Sequence, residues 1–537
     1  MAREKKSAAV KTAAHAGEMS HREILLVLVG LMSGMFLSAL DQSVVGSAMR
    51  TIADDLKGLE LQAWVTTMYL ITSTIATPIY GKLGDIFGRR RLFIAAISIF
   101  LLGSALSGFA ADMWQLAAFR AVQGIGAGGL FSLAITVLAD IVPPRERARY
   151  QGMFLAVFGS SSVLGPVVGG LFASAPQILW LNGWRWVFLI NLPIGAIALF
   201  MVFKFLHVPH IPKKHRIDWW GALTICMAVV PLLVVAENGQ GWGWGSTESI
   251  AMYAIGGVGI IAFILAERAA KHEALLPLTL FKSSTFSMST ILGVIIGVGM
   301  FGGMMTLPLL LQIVNGATPT QSGFMMLPMV AGLMTATVIS GQYTRKTGKY
   351  RIFLMTGTGL FLVGYLYMTT YSATQPYWQI AIGMVLIGLG LGQLMQTLTL
   401  LSQGSVPASE VGVATSSATF FRQMGGTLGV AVFISILFNS LGDNIAKRFK
   451  EAGITVPSGS GQANFGDQLK TDSSFISKLP KQIKDPILQG FADSAVTVFT
   501  WAAVVVAVAF ALSFFIKAPA LRNTSASQDA AAAAAGH

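Results

Sequence analysis

The sequence predicts an all-α polytopic membrane protein with fourteen membrane-spanning helices, and three observations predict it. Of 537 residues, 54% are hydrophobic and only 11% charged, with a mean hydropathy of +0.65, whereas soluble domains carry about 25% charged residues. Apolar runs recur at the roughly 20-residue length that a helix needs to cross a bilayer. They lack period-two alternation, which argues against a barrel. Most Lys and Arg fall in the short gaps between those runs, so the net charge of +13 marks membrane topology and not a nucleic-acid partner.

Taken in order, residues 1–23 are basic and Ala-rich and read as a cytoplasmic tail. The apolar run behind them is too long for a signal peptide and lacks an A-x-A-like cleavage site. Spans are expected over 24–48, 61–80, 92–110, 114–138, 148–172, 184–206, 217–236, 249–267, 285–313, 322–342, 352–371, 376–402, 411–439 and 491–516. Residues 517–537, ending DAAAAAAGH, read as a disordered cytoplasmic tail. Alternate gaps carry Lys82/Arg89/Arg90/Arg91, Arg145/Arg147/Arg149, Lys213/Lys214/Arg216, Arg268/Lys271/Lys282 and Arg345/Lys346/Lys349/Arg351. That alternation places both termini in the cytoplasm. One long outer loop, 440–490, runs against it with Lys447, Arg448, Lys450, Lys470, Lys478, Lys481 and Lys484, but long loops obey the charge rule poorly.

The chain also repeats itself. YGKLGDIFGRRR (80–91) aligns with SGQYTRKTGKYR (340–351), pairing Gly81 with Gly341, Gly88 with Gly348 and Arg91 with Arg351. RAVQGIGAGG (120–129) aligns with MVLIGLGLGQ (384–393), so Gly124, Gly126 and Gly128 meet Gly388, Gly390 and Gly392. Both matches fit two six-helix repeats, 24–206 and 285–516, with two inserted central helices in 207–284. Parallel repeats of this kind are a transporter signature, with a site near the midplane between the halves. Asp85 and Arg120 have no counterpart, being replaced by Arg345 and Met384. The charged machinery therefore lies in the first half.

Asp41, in the stretch LDQSVV, puts a carboxylate inside the first span, where insertion alone costs about 2.5–3.5 kcal/mol. All seven histidines lie outside the apolar runs, so an intramembrane proton carrier has to be a carboxylate. Counting a 1.5 Å rise per residue, Asp41 and Arg120 both sit ~10 Å inside the outer ends of spans one and four. Gly159, Gly165, Pro166, Gly169 and Gly170 give span five a small-residue face with a kink. GIGAGG (124–129) fits a dinucleotide fingerprint, but no strand precedes it and it lies within a span. No G-x-x-x-x-G-K-[ST] loop exists, which argues against ATP as the energy source. The one cysteine, Cys226, excludes a disulfide framework.

With these motifs in view, the chain resembles the major facilitator superfamily, specifically its fourteen-helix drug:proton antiporter branch. GKLGDIFGRRR resembles the superfamily's loop motif, LAAFRAVQGIGAGG its span-four motif and GSSSVLGPVVGG (159–170) the span-five antiporter motif. WRWVFLINLPIG (184–195) and SSATFFRQMGGTLG (416–429) resemble signatures of the branch. Around Asp41 the pattern departs, with Ser43, Gly46 and Arg50 where the family commonly has Thr, Asn and Pro. The resemblance implies a major facilitator fold working by alternating access in a bacterial plasma membrane. Asp41 and Arg120 would then couple transport to protons, and Gly81, Asp85, Gly88, Arg89 and Arg90 would form a latch between access states. No cofactor is implied beyond the proton gradient, and the partners are small molecules and the lipid bilayer, with a monomer expected.

The expected function is multidrug efflux, the proton-coupled export of hydrophobic or amphipathic, cationic compounds. The alternative is a dedicated exporter of a lipid or specialised metabolite. No intramembrane histidine, metal-spaced cluster or nucleophile–base pair supports an enzyme. Phe301, Met304, Gln312, Gln393 and Gln396 are candidate pocket residues, as Met-rich surfaces suit promiscuous ligands. Arg422 is the other cation at mid-depth, open to two roles: binding an anionic substrate group, or pairing for packing.

Overall fold

The structure, a computed structural model, describes residues 21–58, 61–206, 218–270, 273–407, 410–454 and 479–521. The first half holds α1 (His21–Asp55), α2 (Gln62–Phe87), α3 (Arg89–Gly108), α4 (Met113–Ile141), α5 (Pro144–Ser174), the short α6 (Trp186–Leu189) and α7 (Asn191–Phe205). A two-stranded antiparallel turn, β1 (Gln177–Ile178) with β2 (Leu181–Asn182), precedes α6. Two helices follow, α8 (Trp219–Trp242) and α9 (Thr247–Ala270). The second half holds α10 (Ser284–Ile313), the short α11 (Pro319–Met325), α12 (Leu327–Thr347), α13 (Arg351–Met368), α14 (Tyr377–Gly404), α15 (Val411–Glu451) and α16 (Lys481–Ser513).

Among the described residues, thirteen elements are long and apolar enough to cross a membrane. The exception is α2, which has the length but carries Thr66, Thr67, Thr72, Ser73, Thr74 and Thr77. Those hydroxyls are accommodated because α2 is packed between other helices. Thr72 and Thr77, for instance, donate to the Met68 and Ser73 carbonyls one turn back, at 2.8 and 2.9 Å.

The internal repeat is reproduced contact by contact. Gly124 and Gly128 of α4 lie against Tyr69 and Ser73 of α2, while Gly126 lies against Ala96 and Phe100 of α3. In the second half Gly388 and Gly392 of α14 lie against Met329 and Leu333 of α12, while Gly390 lies against Gly357 and Phe361 of α13. Even the cross-helix hydroxyl recurs: Thr77 donates to the Gly128 carbonyl and Thr337 to that of Gly392. Helices in lipid gain nothing from apolar burial against each other, so close backbone approach through glycine supplies the attraction instead. The same packing disposes of the dinucleotide fingerprint, since its glycines are helix-contact positions.

One register shifts from the sequence alignment. Gly81 lies within α2 and takes no part in a turn. Gly88 alone turns the chain, at φ +90°, as Gly348 does at φ +71°. Glycine suits both positions because a side chain strains that region of backbone. Arg90, not Arg91, then occupies the place of Arg351. Arg90 donates to the Phe203 carbonyl at the C-terminus of α7 (2.7 Å), and Arg351 to Phe514 just beyond α16 (2.8 Å).

The second half's buried cluster runs from Leu292 to Leu521, and the first half's clusters from Ile24 to Leu206. Helices α8 and α9 pack on each other where Gly259 meets Ala228, and a further cluster joins Ile225 and Val229 to Ile71, Ile75 and Phe420. The outer loop expected over 440–490 is narrower, because α15 continues to Glu451 and α16 begins at Lys481. Ile445 and Phe449 pack with Ile487 and Phe491, and Arg448 grips Asp493 through two bonds of 2.6 and 2.8 Å. Residues 455–478 lie outside the described residues. The tail expected to be disordered from 517 is packed as far as Leu521: Ile516 and Leu521 are buried, and the Pro519 carbonyl accepts from Tyr350. The rest of that tail, and residues 1–20, lie outside the described residues.

Both members of the Arg448–Asp493 pair are about one-third exposed. A double-mutant cycle of Arg448→Ala and Asp493→Ala on the melting temperature in detergent should give a coupling of about 0.2–1 kcal/mol that weakens with salt.

Candidate functional site

The first half is organised around Asp41. Its carboxylate and the Arg120 guanidinium are buried, with side-chain exposures of 0% and 2%, so water cannot screen the pair. Arg120 Nη1 lies 2.5 Å from Asp41 Oδ2 and 2.8 Å from Gln123 Oε1. Gln123 Nε2 and Asn191 Nδ2 each donate to Asp41 Oδ1 at 2.8 Å. Asn191 Nδ2 also donates to Ser104 Oγ at 2.9 Å, and the Ser104 hydroxyl donates to the Phe188 carbonyl. The guanidinium carbon sits 4.0 Å above the Tyr69 ring, whose hydroxyl is 3.0 Å from Ser38 Oγ. Five elements, α1 to α4 and α7, therefore join one network around the Asp41 carboxylate, which itself accepts bonds from α4 and α7. Breaking a buried pair by removing one partner costs about 3–5 kcal/mol. Two polar atoms in the network have no partner among the described residues, Arg120 Nε and Asn191 Oδ1.

The loop motif forms a second charged group. Arg89 bonds Asp85 at 2.8 Å and Asp140 at 2.5 Å. The group is pressed against the first turn of α15: a Cβ placed on Gly412 would lie 2.5 Å from Asp85 Oδ1 and 2.8 Å from Arg89 Nη2. Gly81 meets Ser416 in the same face. Nearby, Arg147 donates to the Val142 and Ala139 carbonyls and to Gln403 Oε1, while Gln403 Nε2 donates to Thr415 Oγ1 at 3.1 Å. An apolar cluster of Ala139, Val411, Val413 and Ala414 fills the space between. These contacts join the halves at the end of the bundle that carries Gly88. Arg90 takes no part, being spent on α7.

The span-five glycines divide between two neighbours. Gly165 and Gly169 lie against Ser43, Val44 and Ser47 of α1, within a turn or two of Asp41, whereas Gly159 lies against Val330 of α12. Gly170 meets nothing within 4 Å. Pro166 sits inside α5 within the α1 contact, between Gly165 and Gly169.

In the second half a small cavity of about 10 Å³, room for about one water, lies between α10, α14 and α15, with Arg422, Thr419, Thr415, Ser402 and Ser289 on its wall. The other candidate pocket residues lie elsewhere. Gln312 donates to Ser322 at 3.0 Å, Gln393 accepts from Thr356 at 2.5 Å, and Phe301 packs against Gly426. Gln396 is buried with an unpartnered Oε1. The side chain of Met304 lies outside what is described. Among the described residues no group of His, Cys, Asp and Glu is arranged to hold a metal ion.

The family model of the Major Facilitator Superfamily matches residues 31–430. The chain belongs to the major facilitator superfamily. It is similar to the multidrug transporter protein MdtP of Bacillus subtilis, with 35% identity over 529 residues, spanning 95% of this chain and 96% of that protein. Multidrug resistance protein 3 of the same organism is 33% identical over 502 residues, spanning 93% and 96%. Among solved structures, the proton:xylose symporter XylE bound to 6-bromo-6-deoxy-D-glucose shares the fold, with a TM-score of 0.57 and 14% identity over 95% of this chain and 99% of that one. As a superfamily member, the protein is a multi-pass membrane transporter built for small molecules.

Gln123, Asn191, Asp140 and Gln403 were absent from the sequence candidates. Two of them left a signal in this superfamily member. Gln123 stands one helical turn from Arg120 and so shares its face, and Asn191 is a lone amide within WRWVFLINLPIG. Asp140 and Gln403 gave none, because their partners lie far away in sequence.

The glycine contacts yield a paired test. Gly165→Ala, which overlaps Ser43, should destabilise the α1–α5 contact by about 1–3 kcal/mol. Gly170→Ala should leave the melting temperature in detergent unchanged.

Proposed function

We propose that the protein is a proton-coupled exporter of hydrophobic or amphipathic compounds, a drug/proton antiporter that works as a monomer by alternating access in a bacterial plasma membrane. The halves 24–206 and 285–516 act as the two rocking bodies, with 207–284 as an insertion and both termini cytoplasmic. The buried carboxylate of Asp41, held by Arg120, Gln123 and Asn191, is the observation that carries this reading.

An ionised Asp41 accepts from three donors and neutralises Arg120. A proton on Asp41 removes that charge and adds an O–H needing an acceptor. Asn191 supplies one, because its Oδ1 is unpartnered and a turn of its amide presents that oxygen. The proton therefore redistributes bonds among α1, α4 and α7. Helix α1 carries the change to α5 through Ser43 and Gly165, and α5 touches the second half at Val330. At the end bearing Gly88, the Asp85–Arg89–Asp140 group acts as the latch, formed here against Gly412. Energy comes from the proton gradient, without a cofactor. The similarity to two multidrug transporters of Bacillus subtilis supports the substrate class.

Purified protein in vesicles with an imposed pH gradient tests the reading, with a fluorescent amphipathic dye as the transported probe. Wild type should move the dye faster with the gradient than without. Asp41→Asn should lose at least about tenfold of the gradient-driven rate while still binding dye. A wild-type rate indifferent to the gradient, or a variant rate equal to wild type, would sink the proposal.

A further inference from the structure

Among the described residues, the cations within the bundle come with partners, except one that is only partly buried. Arg120 faces Asp41, Arg89 faces Asp85 and Asp140, and Arg147 is spent on two carbonyls and Gln403. Arg422 sits at mid-length of the membrane helix α15 and forms no hydrogen bond or ion pair among the described residues, yet it lines the second-half cavity. A guanidinium stays charged in a protein, and a charge at membrane depth is costly unless it has a function or a partner.

Glycines of α10 leave room beside Arg422. Gly293 and Gly297 of α10 face Arg422: a Cβ on Gly293 would stop 4.0 Å from that of Arg422, and Gly297 packs on its carbonyl. A wider side chain at Gly293 would narrow the cavity. The hydroxyls on the wall do not compete for an anion. Thr415, Thr419, Thr399 and Ser402 donate to carbonyls one turn back, at 2.6, 2.8, 2.9 and 3.0 Å. Each hydroxyl has one proton, so Arg422 is the cavity's uncommitted donor, with five N–H groups in a planar fork. That fork matches a carboxylate bidentately. A cationic group, by contrast, meets repulsion here, and in the first half the Asp41 carboxylate is already bonded to three donors.

We infer that the cavity at Arg422 is a substrate subsite that takes the carboxylate of an amphipathic organic acid, in place of the cationic class expected from the sequence. This rests on the exporter reading and assigns its substrate class. The first half handles the proton, and the second grips the anion.

Equilibrium binding to the purified full chain tests it, using pyrenebutyric acid at neutral pH and its methyl ester, followed by pyrene fluorescence without any gradient. Wild type should bind the acid about tenfold or more tightly than the ester, the range of one charge-assisted bond. Arg422→Gln should bind both alike, with the ester affinity unchanged as the sign of an intact fold. Gly293→Leu fills the cavity without touching the cation and should also remove the preference; it decides the matter if Arg422→Gln fails to fold. Equal binding of acid and ester by wild type, or a preference that survives in either variant, overturns the inference. So does chloride abolishing ester and acid binding alike when it replaces gluconate in the buffer, since the site would then hold an inorganic anion. Because no gradient is present, an absence of proton coupling would leave these results unchanged and show only in the vesicle assay.

Discussion

A carboxylate and a guanidinium enclosed together in a membrane bundle constrain everything around them. Each ion loses several kcal/mol of hydration, and their attraction offsets this only when the remaining donors and acceptors are also satisfied. Asp41 and Arg120 meet that condition through Gln123 from the same helix as Arg120, Asn191 from α7 and the Tyr69 ring from α2. Supplying those groups requires four helices to converge within hydrogen-bond reach. The convergence in turn requires the glycine contacts that let α2, α3 and α5 come close enough. Packing of the first half thus follows from one electrostatic demand.

The two halves answer the same geometric problem with different chemistry. Both use glycine at three matching positions to bring the fourth helix of the repeat against the second and third, and both use glycine at the turn before the third. Yet where α4 places Arg120, α14 places the buried Met384. Among the described residues the second half has no counterpart of that enclosed pair, and at mid-length of α15 it places Arg422 on the wall of a cavity. A symmetric scaffold thus carries asymmetric charge: an enclosed ion pair in one half and a lone guanidinium beside a cavity in the other.

The charged part of the connection between the bodies lies at one end. Asp85, Arg89 and Asp140 bring three charges together beside the start of α15, and Gly412 is what lets them approach. Side chains at about one-tenth exposure keep such a group close to water, so its contacts can break at lower cost than those of the enclosed Asp41 pair. This charged group therefore sits where its charges can be rehydrated. The permanent network lies deeper.

Length, hydropathy and the spacing of basic gaps determined the all-helical membrane architecture, because a helix in lipid must satisfy its own backbone and needs a fixed apolar length. The glycine repeat was legible too, since close approach leaves a residue type that periodicity exposes. A carboxylate at Asp41 stood out by its cost alone. The tertiary structure decided the rest. It assigned Gly88 and not Gly81 to the turn, put Arg90 in the place of Arg351, and carried α15 past 440 to meet Asp493. It also drew Asn191 to Asp41 and Gln403 to Arg147, and placed Arg422 on a cavity wall that the candidate glutamines do not share. Those facts depend on which faces meet between segments distant in sequence. A hydrogen bond is fixed by distance and direction in space, and neither is written in the order of residues along one helix.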